Sequence, residues 1–185
     1  APAGIWLGRL AGGRLGRGIA AVGIAAATVQ VIGLQRWLTL VPGISKDALD
    51  PARTAAAEQR FELWHTVLGK AIGETLGYAL TATFTVLVVI ALGRHSLLPR
   101  WLAVVGYVAA ALIATGVVIP LLEAASLTNF AGYVLWCGWL LAVAVVLTLY
   151  FLLDGRRTFG WLLAFAPPRL RPKVVETAEG ASGAL

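Results

Sequence analysis

The chain has 185 residues, 59% of them hydrophobic and only 13% charged, with a mean hydropathy of +0.82. That is far more apolar surface than a water-soluble core of this length needs, which excludes an ordinary soluble domain and a disordered chain alike. The net charge of +6 does not point to nucleic acid, because the basic residues flank long apolar blocks in the manner of membrane-protein loops.

Residues 1–17 carry Gly4, Gly8, Gly12 and Gly16 at four-residue spacing, with Arg9, Arg14, Arg17 and Trp6 among them. They read either as a flexible basic leader or as a short interfacial helix with Trp6 in the headgroups. The leader runs straight into an apolar stretch of spanning length, so no cleavable signal is expected. The first span is Gly18 to about Leu40. Inside it, the Gln30 amide must find a partner on another helix, since lipid offers none. Gln35, Arg36 and Trp37 anchor its end in the interface, and Pro42-Gly43 is expected to stop the helix. Asp50-Pro51 then reads as the N-cap and first position of the next helix.

From Ala52 the helical pattern meets no breaker until Gly93. Such a helix is ~60 Å long at 1.5 Å per residue, about twice the ~30 Å of a hydrocarbon core. Part of it must stand outside the bilayer, lie along its surface, or kink near residues 69–77; the span proper is 71–92. Two patterns overlap where it enters. Gly69, Gly73 and Gly77 form consecutive Gly-x-x-x-Gly units, the spacing that lets a second transmembrane helix come close. Lys70, Glu74, Tyr78, Thr81 and Thr85 form a polar stripe beside them. At i, i+4 spacing, Lys70 and Glu74 are expected to pair, with Tyr78 adding a hydrogen bond.

A short basic loop, residues 93–100, leads to the third span at 101–122. Glu123 to Thr128 is a tight turn, and the fourth span is 129–153, with Tyr133, Trp136 and Trp139 near its start. Asp154-Gly155-Arg156-Arg157 stops it. Residues 158–185 read as an interfacial segment too short to cross, followed by a flexible tail. Arg9, Arg14, Arg17, Arg94, Arg100, Arg156, Arg157 and the tail cations fall on one side. The other side, with the Val41–Arg60 connector, has Arg36, Lys46, Arg53, Arg60 and Lys70, diluted by most of the acidic residues. The expected fold is all-α: an integral membrane bundle of four transmembrane helices, both termini inside, the second helix long and extending outside the bilayer.

The stretch Gly73-Glu74-Thr75-Leu76-Gly77-Tyr78, continuing through Thr81–Leu87 and followed by Leu98-Pro99-Arg100-Trp101, resembles a bacterial family of multi-pass membrane proteins known only as a domain of unknown function. The likeness covers roughly Gly73 to Arg157, and the Leu-Pro-Arg-Trp turn into a Gly- and Ala-rich helix is its most recognisable part. The resemblance implies a bacterial inner-membrane protein. The family has no assigned active-site residues, so it implies nothing catalytic.

Counting back from Leu92 puts Glu74 near the outer edge of the hydrocarbon, with Lys70 one turn above. Gln30, Lys70, Glu74, Tyr78, Glu123 and Tyr133 are the candidate ligand-binding residues, because ionisable groups in or near a span mark functional sites by default. Structural pairing of Lys70 with Glu74 is the plainer alternative. Gly69, Gly73 and Gly77 are the candidate helix-packing residues. No metal site is expected: His65 and His95 fall on opposite sides, and His65 with Glu62 is half a site. Cys137 stands alone and reads as packing. No hydrolase triad, metalloprotease helix or phosphate loop is present, so no enzyme is expected.

Two functions fit. One is a non-catalytic accessory or structural subunit that packs against a larger membrane complex, binding lipid or a hydrophobic pigment. The other is a small transporter, channel or sensor with an outward-facing polar cavity. Expected partners are membrane lipids and other membrane subunits, with no nucleic acid.

Overall fold

The computed structural model describes Gly8 and residues 11–153; most of the leader and the segment predicted over 158–185 lie outside the described residues. The regular elements among the described residues are all helices, without a strand. Helix α1 is Gly13–Thr39, α2 Val41–Asp47 and α3 Thr54–Trp64. A π-helical stretch, His65–Leu76, leads into α4, Gly77–Arg94. Helix α5 is Arg100–Ala114, continued by a 3-10 turn at Thr115–Val118, and α6 is Ala125–Leu153. Four helical runs are long and apolar enough to cross a membrane: Gly13–Asp47, Thr54–Arg94, Arg100–Val118 and Ala125–Tyr150.

Several expected boundaries are corrected. Helix α1 ends at Thr39, just before Pro42, but the chain turns helical again at once in α2, because a proline at a first-turn position loses no hydrogen bond. Asp50 does not cap the next helix. Its Oδ1 accepts from the Ala52 N–H at 3.0 Å, a local turn two residues on, and the helix starts later, at Thr54. The third span ends at Val118, four residues early, and the fourth begins at Ala125, four residues early.

The connector is closed by charge. Arg60 reaches back to the Asp47 carboxylate, and Arg53 lies 3.6 Å from Asp47 and 3.5 Å from Asp50. The Arg60 hydrogen bond holds the Asp47 carboxyl below the usual carboxylate range, with the positive charge of Arg53 adding to it. At the other end of α4 the chain turns through a Schellman pattern. Leu97 N–H donates to Leu92 O at 3.0 Å and Ser96 N–H to Gly93 O at 3.1 Å, with Ser96 at φ 54° where glycine is usual. Pro99 then sits at the N-cap of α5, and its carbonyl accepts from Leu102 and Ala103. The Leu-Pro-Arg-Trp stretch is thus a helix start, with Leu98 buried and Trp101 exposed.

Packing divides the chain within α6, into residues 1–142 and 143–185. In the first unit α4 is central, packed on α1 along one side and α5 along another. In lipid there is little hydrophobic drive between helices, so close backbone approach and hydrogen bonds hold them together. Both are seen. A Cβ on Gly106 would lie 2.7 Å from Val89 and 2.9 Å from Trp139, and one on Gly132 2.7 Å from Leu112. The first part of α6 is fastened by three polar side chains. Asn129 Nδ2 donates to Ile113 O at 2.7 Å, Trp136 Nε1 to Thr85 Oγ1 at 2.9 Å, and Trp139 Nε1 to Leu102 O at 2.8 Å. Large apolar side chains such as Val31, Leu34 and Leu38 of α1 are exposed, as lipid-facing positions are. Of the second unit only the end of α6 is described, where Thr148 donates to Ala144 O.

Candidate ligand site

The π-helical stretch His65–Leu76 is the element that builds the site, and it has two faces. A π register is rare in proteins and persists where tertiary contacts hold it. Here one face is held by α1. Gly33 lies on Gly73, so close that a Cβ on Gly33 would stand 2.8 Å from the Gly73 Cα. Gln30 covers Gly77 and Arg36 covers Gly69, their side-chain nitrogens 2.8 Å and 2.9 Å from where a Cβ would be. Three residues of α1, three apart, therefore meet three glycines four apart on the antiparallel partner. The spacing of Gly69, Gly73 and Gly77 is legible as a packing seam; its partners were not.

Arg36 is thus more than an interface anchor. Its Nη1 donates to Gly33 O at 2.8 Å, and its guanidinium carbon lies 5.2 Å from the Trp37 ring centroid. Its Nε is buried without a hydrogen-bond partner. A Cβ at residue 69 would stand 2.8 Å from the guanidinium carbon and push that planar group from its place.

The other face of the π stretch lines a cleft of about 770 Å³. Thr66, Lys70, Ala71, Glu74, Thr75 and Tyr78 form one wall; Gly116, Ile119, Pro120, Leu121 and Glu123 form the other. The second wall exists because α5 tightens into a 3-10 turn and then leaves helix altogether before α6. Its floor depends on a glycine: a Cβ on Gly116 would lie 2.3 Å from both the Tyr78 ring and Asn129 Nδ2. Tyr78 is held in turn against Tyr133, ring centroids 5.8 Å apart, and Tyr133 meets Trp136 edge-on at 6.1 Å.

Of the six candidate ligand residues, the cleft brings together four: Lys70, Glu74, Tyr78 and Glu123. Gln30 is not among them, because it faces the glycine seam on the opposite side of the π stretch. Tyr133 stands behind Tyr78 rather than in the cleft. The expected Lys70–Glu74 pair is not formed: among the described residues the ion pairs are those of Asp47 and Asp50 with Arg53 and Arg60. The physical reason is the register. In an α-helix i and i+4 stack on one face, but π turns are wider, and Thr75 Oγ1 instead donates to Lys70 O five residues back at 2.9 Å. No Tyr78–Glu74 hydrogen bond is formed either. The unpaired spacing leaves Lys70 and Glu74 as separate polar groups on the cleft wall.

Sequence reasoning missed Thr66, Gly116 and the Ile119–Leu121 wall. The signals were present but faint: a lone glycine and a proline near the end of an apolar span. A second, smaller cleft of about 490 Å³ lies under the connector, lined by Ile44, Ala57, Glu58, Phe61, Glu62 and His65 among others. His65 stacks on Phe61 with ring centroids 5.7 Å apart, and its Nδ1 is buried without a hydrogen-bond partner. Among the described residues no three His, Cys, Asp or Glu side chains are grouped to hold a metal ion.

Residues 5–144 match the family model described as a domain of unknown function, DUF4386. No curated protein and no solved structure matches the chain.

Proposed function

The chain belongs to the DUF4386 family, and from that premise we propose that it is a multi-pass membrane protein whose work is binding, with the cleft between the π stretch and the 3-10 turn as its ligand site. The observation that carries this is that Glu123, from the far wall, meets Lys70, Glu74 and Tyr78 of the long second helix on one cavity. Ionisable groups in or beside a span are candidate functional groups, and here the acids and the lysine do not pair with each other. This favours a sensor, carrier or lipid-binding role over a purely structural subunit, and binding over covalent chemistry.

Depth supports the same reading. Helix α4 has 18 residues, about 27 Å at 1.5 Å per residue. It nearly fills a hydrocarbon core of about 30 Å, so Glu74 and Lys70 stand at the boundary. The bias of Lys and Arg toward the two termini and the 93–100 loop favours cytoplasmic termini and a cleft on the far side of a bacterial inner membrane.

The test is native mass spectrometry of the full chain purified in mild detergent. A retained adduct that is lost in both Glu74→Gln and Glu123→Gln, each still folded by circular dichroism, supports the assignment. An adduct retained equally by wild type and both variants would place binding elsewhere.

A further inference from the structure

We propose that the ligand of this cleft is zwitterionic, an ammonium joined to a phosphate, as in the headgroup of an aminophospholipid. The inference rests on the reading of the cleft as the binding site and names what it takes.

The ionisable groups of the cleft are two carboxylates, Glu74 and Glu123, and one ammonium, Lys70. A simple anion would meet two negative charges and a simple apolar molecule would leave three charges without partners. A ligand with both signs satisfies the set. Its ammonium is drawn to the carboxylates and to the face of Tyr78, since aromatic rings attract cations over their faces. Its phosphate is drawn to Lys70, and Thr66 on the same wall brings a hydroxyl to the cleft.

The walls favour a ligand with an apolar part. Ala71, Ile119, Pro120 and Leu121 line the same cleft, and Leu121 is 90% exposed, so the rim of the cleft is open and partly apolar. The depth of Glu74 and Lys70 at the edge of the hydrocarbon is the depth at which lipid headgroups lie. A lipid could therefore place its head among the charges while its chains leave past Leu121. The same ammonium–phosphate chemistry also occurs in a free solute, and the two sources are separable.

The experiment titrates the full chain in detergent with phosphatidylethanolamine, phosphatidylglycerol or free phosphoethanolamine, and reads bound mass by native mass spectrometry. Wild type is expected to retain phosphatidylethanolamine about tenfold better than phosphatidylglycerol, the fold-change of one charge-assisted hydrogen bond. Glu74→Gln and Glu123→Gln should erase that preference, and Lys70→Gln should weaken phosphatidylethanolamine binding. Glu58→Gln, on the other cleft, should change neither. Competition by free phosphoethanolamine at comparable concentration assigns the site to a soluble zwitterion; competition by the lipid alone assigns it to the membrane. Either supports the shared chemistry. A preference for phosphatidylglycerol that disappears in Lys70→Gln would overturn the zwitterion while keeping the cleft as a site. Binding of every probe unchanged in all three cleft variants, at wild-type melting temperature, would overturn both.

Discussion

The two faces of the π stretch carry residues adjacent in sequence and opposite in purpose. Toward α1, Gly73 lies backbone against backbone with Gly33, and Gly69 lies under the Arg36 guanidinium. Toward the 3-10 turn, Lys70 and Glu74 face a cleft of about 770 Å³. One face fixes the position of the helix, and the other uses that position. The difference teaches that tight packing and an open polar site can alternate every residue or two when the helix is held firmly from one side. It also implies that substitutions on the two faces separate stability from binding.

The largest expected effect is at the seam. Gly33→Leu must force α1 from Gly73, because the atom it meets is backbone and cannot rotate away, and overpacking of this kind costs about 1–3 kcal/mol. A thermal melt in detergent should fall by several degrees; an unchanged melt would break the claim that this face is close-packed. Next is Asn129→Leu, which leaves the Ile113 carbonyl without its donor, at a cost of about 1–2 kcal/mol. Trp136→Phe keeps most of the ring and loses one hydrogen bond to Thr85, for about 0.6 kcal/mol, the average for such bonds between membrane helices. The same melts rank the three.

Glu74→Gln is expected to change stability by less than about 0.5 kcal/mol, as substitutions away from packed cores do, while weakening ligand retention about tenfold. A large drop in its melting temperature would erase the distinction between the faces. The connector offers the smallest effect. Because Arg60 and Arg53 lower the Asp47 carboxyl from its ordinary 3.8, the contribution of these pairs is present above that pH and fades as pH falls through the lower folded value. Corrected for the intrinsic slowing of amide exchange in acid, the protection of α2 should therefore fall as pH drops, with that of α4 and α5 unchanged.

Much of this was legible in the sequence. Four apolar blocks and their charged loops give four crossing helices, since a bilayer sets their length. The Gly69–Gly73–Gly77 repeat announces a close approach, because no side chain stands there. What faces it is a matter of which helix arrives, and Gln30, Gly33 and Arg36 look like unrelated residues along α1. The expected Lys70–Glu74 pair assumed α-helical spacing, and the π register invalidates that assumption without leaving a mark in hydropathy. Asn129, expected as the first residue of the fourth span, is buried one turn inside α6, which begins four residues earlier, and its amide donates to Ile113 O. Half of the cleft comes from residues 116–123, where the sequence shows only a span ending in proline and a turn.

The central claim is that Glu74 and Glu123, from the two walls, hold one ligand. A double-mutant cycle measures it: the affinity for phosphatidylethanolamine of wild type, Glu74→Gln, Glu123→Gln and the double variant. Two groups sharing a ligand should show a coupling energy of about 0.5 kcal/mol or more, the double variant losing less than the sum of the single losses. Strict additivity, with each single variant still folded, would mean that the two carboxylates do not meet on the same molecule.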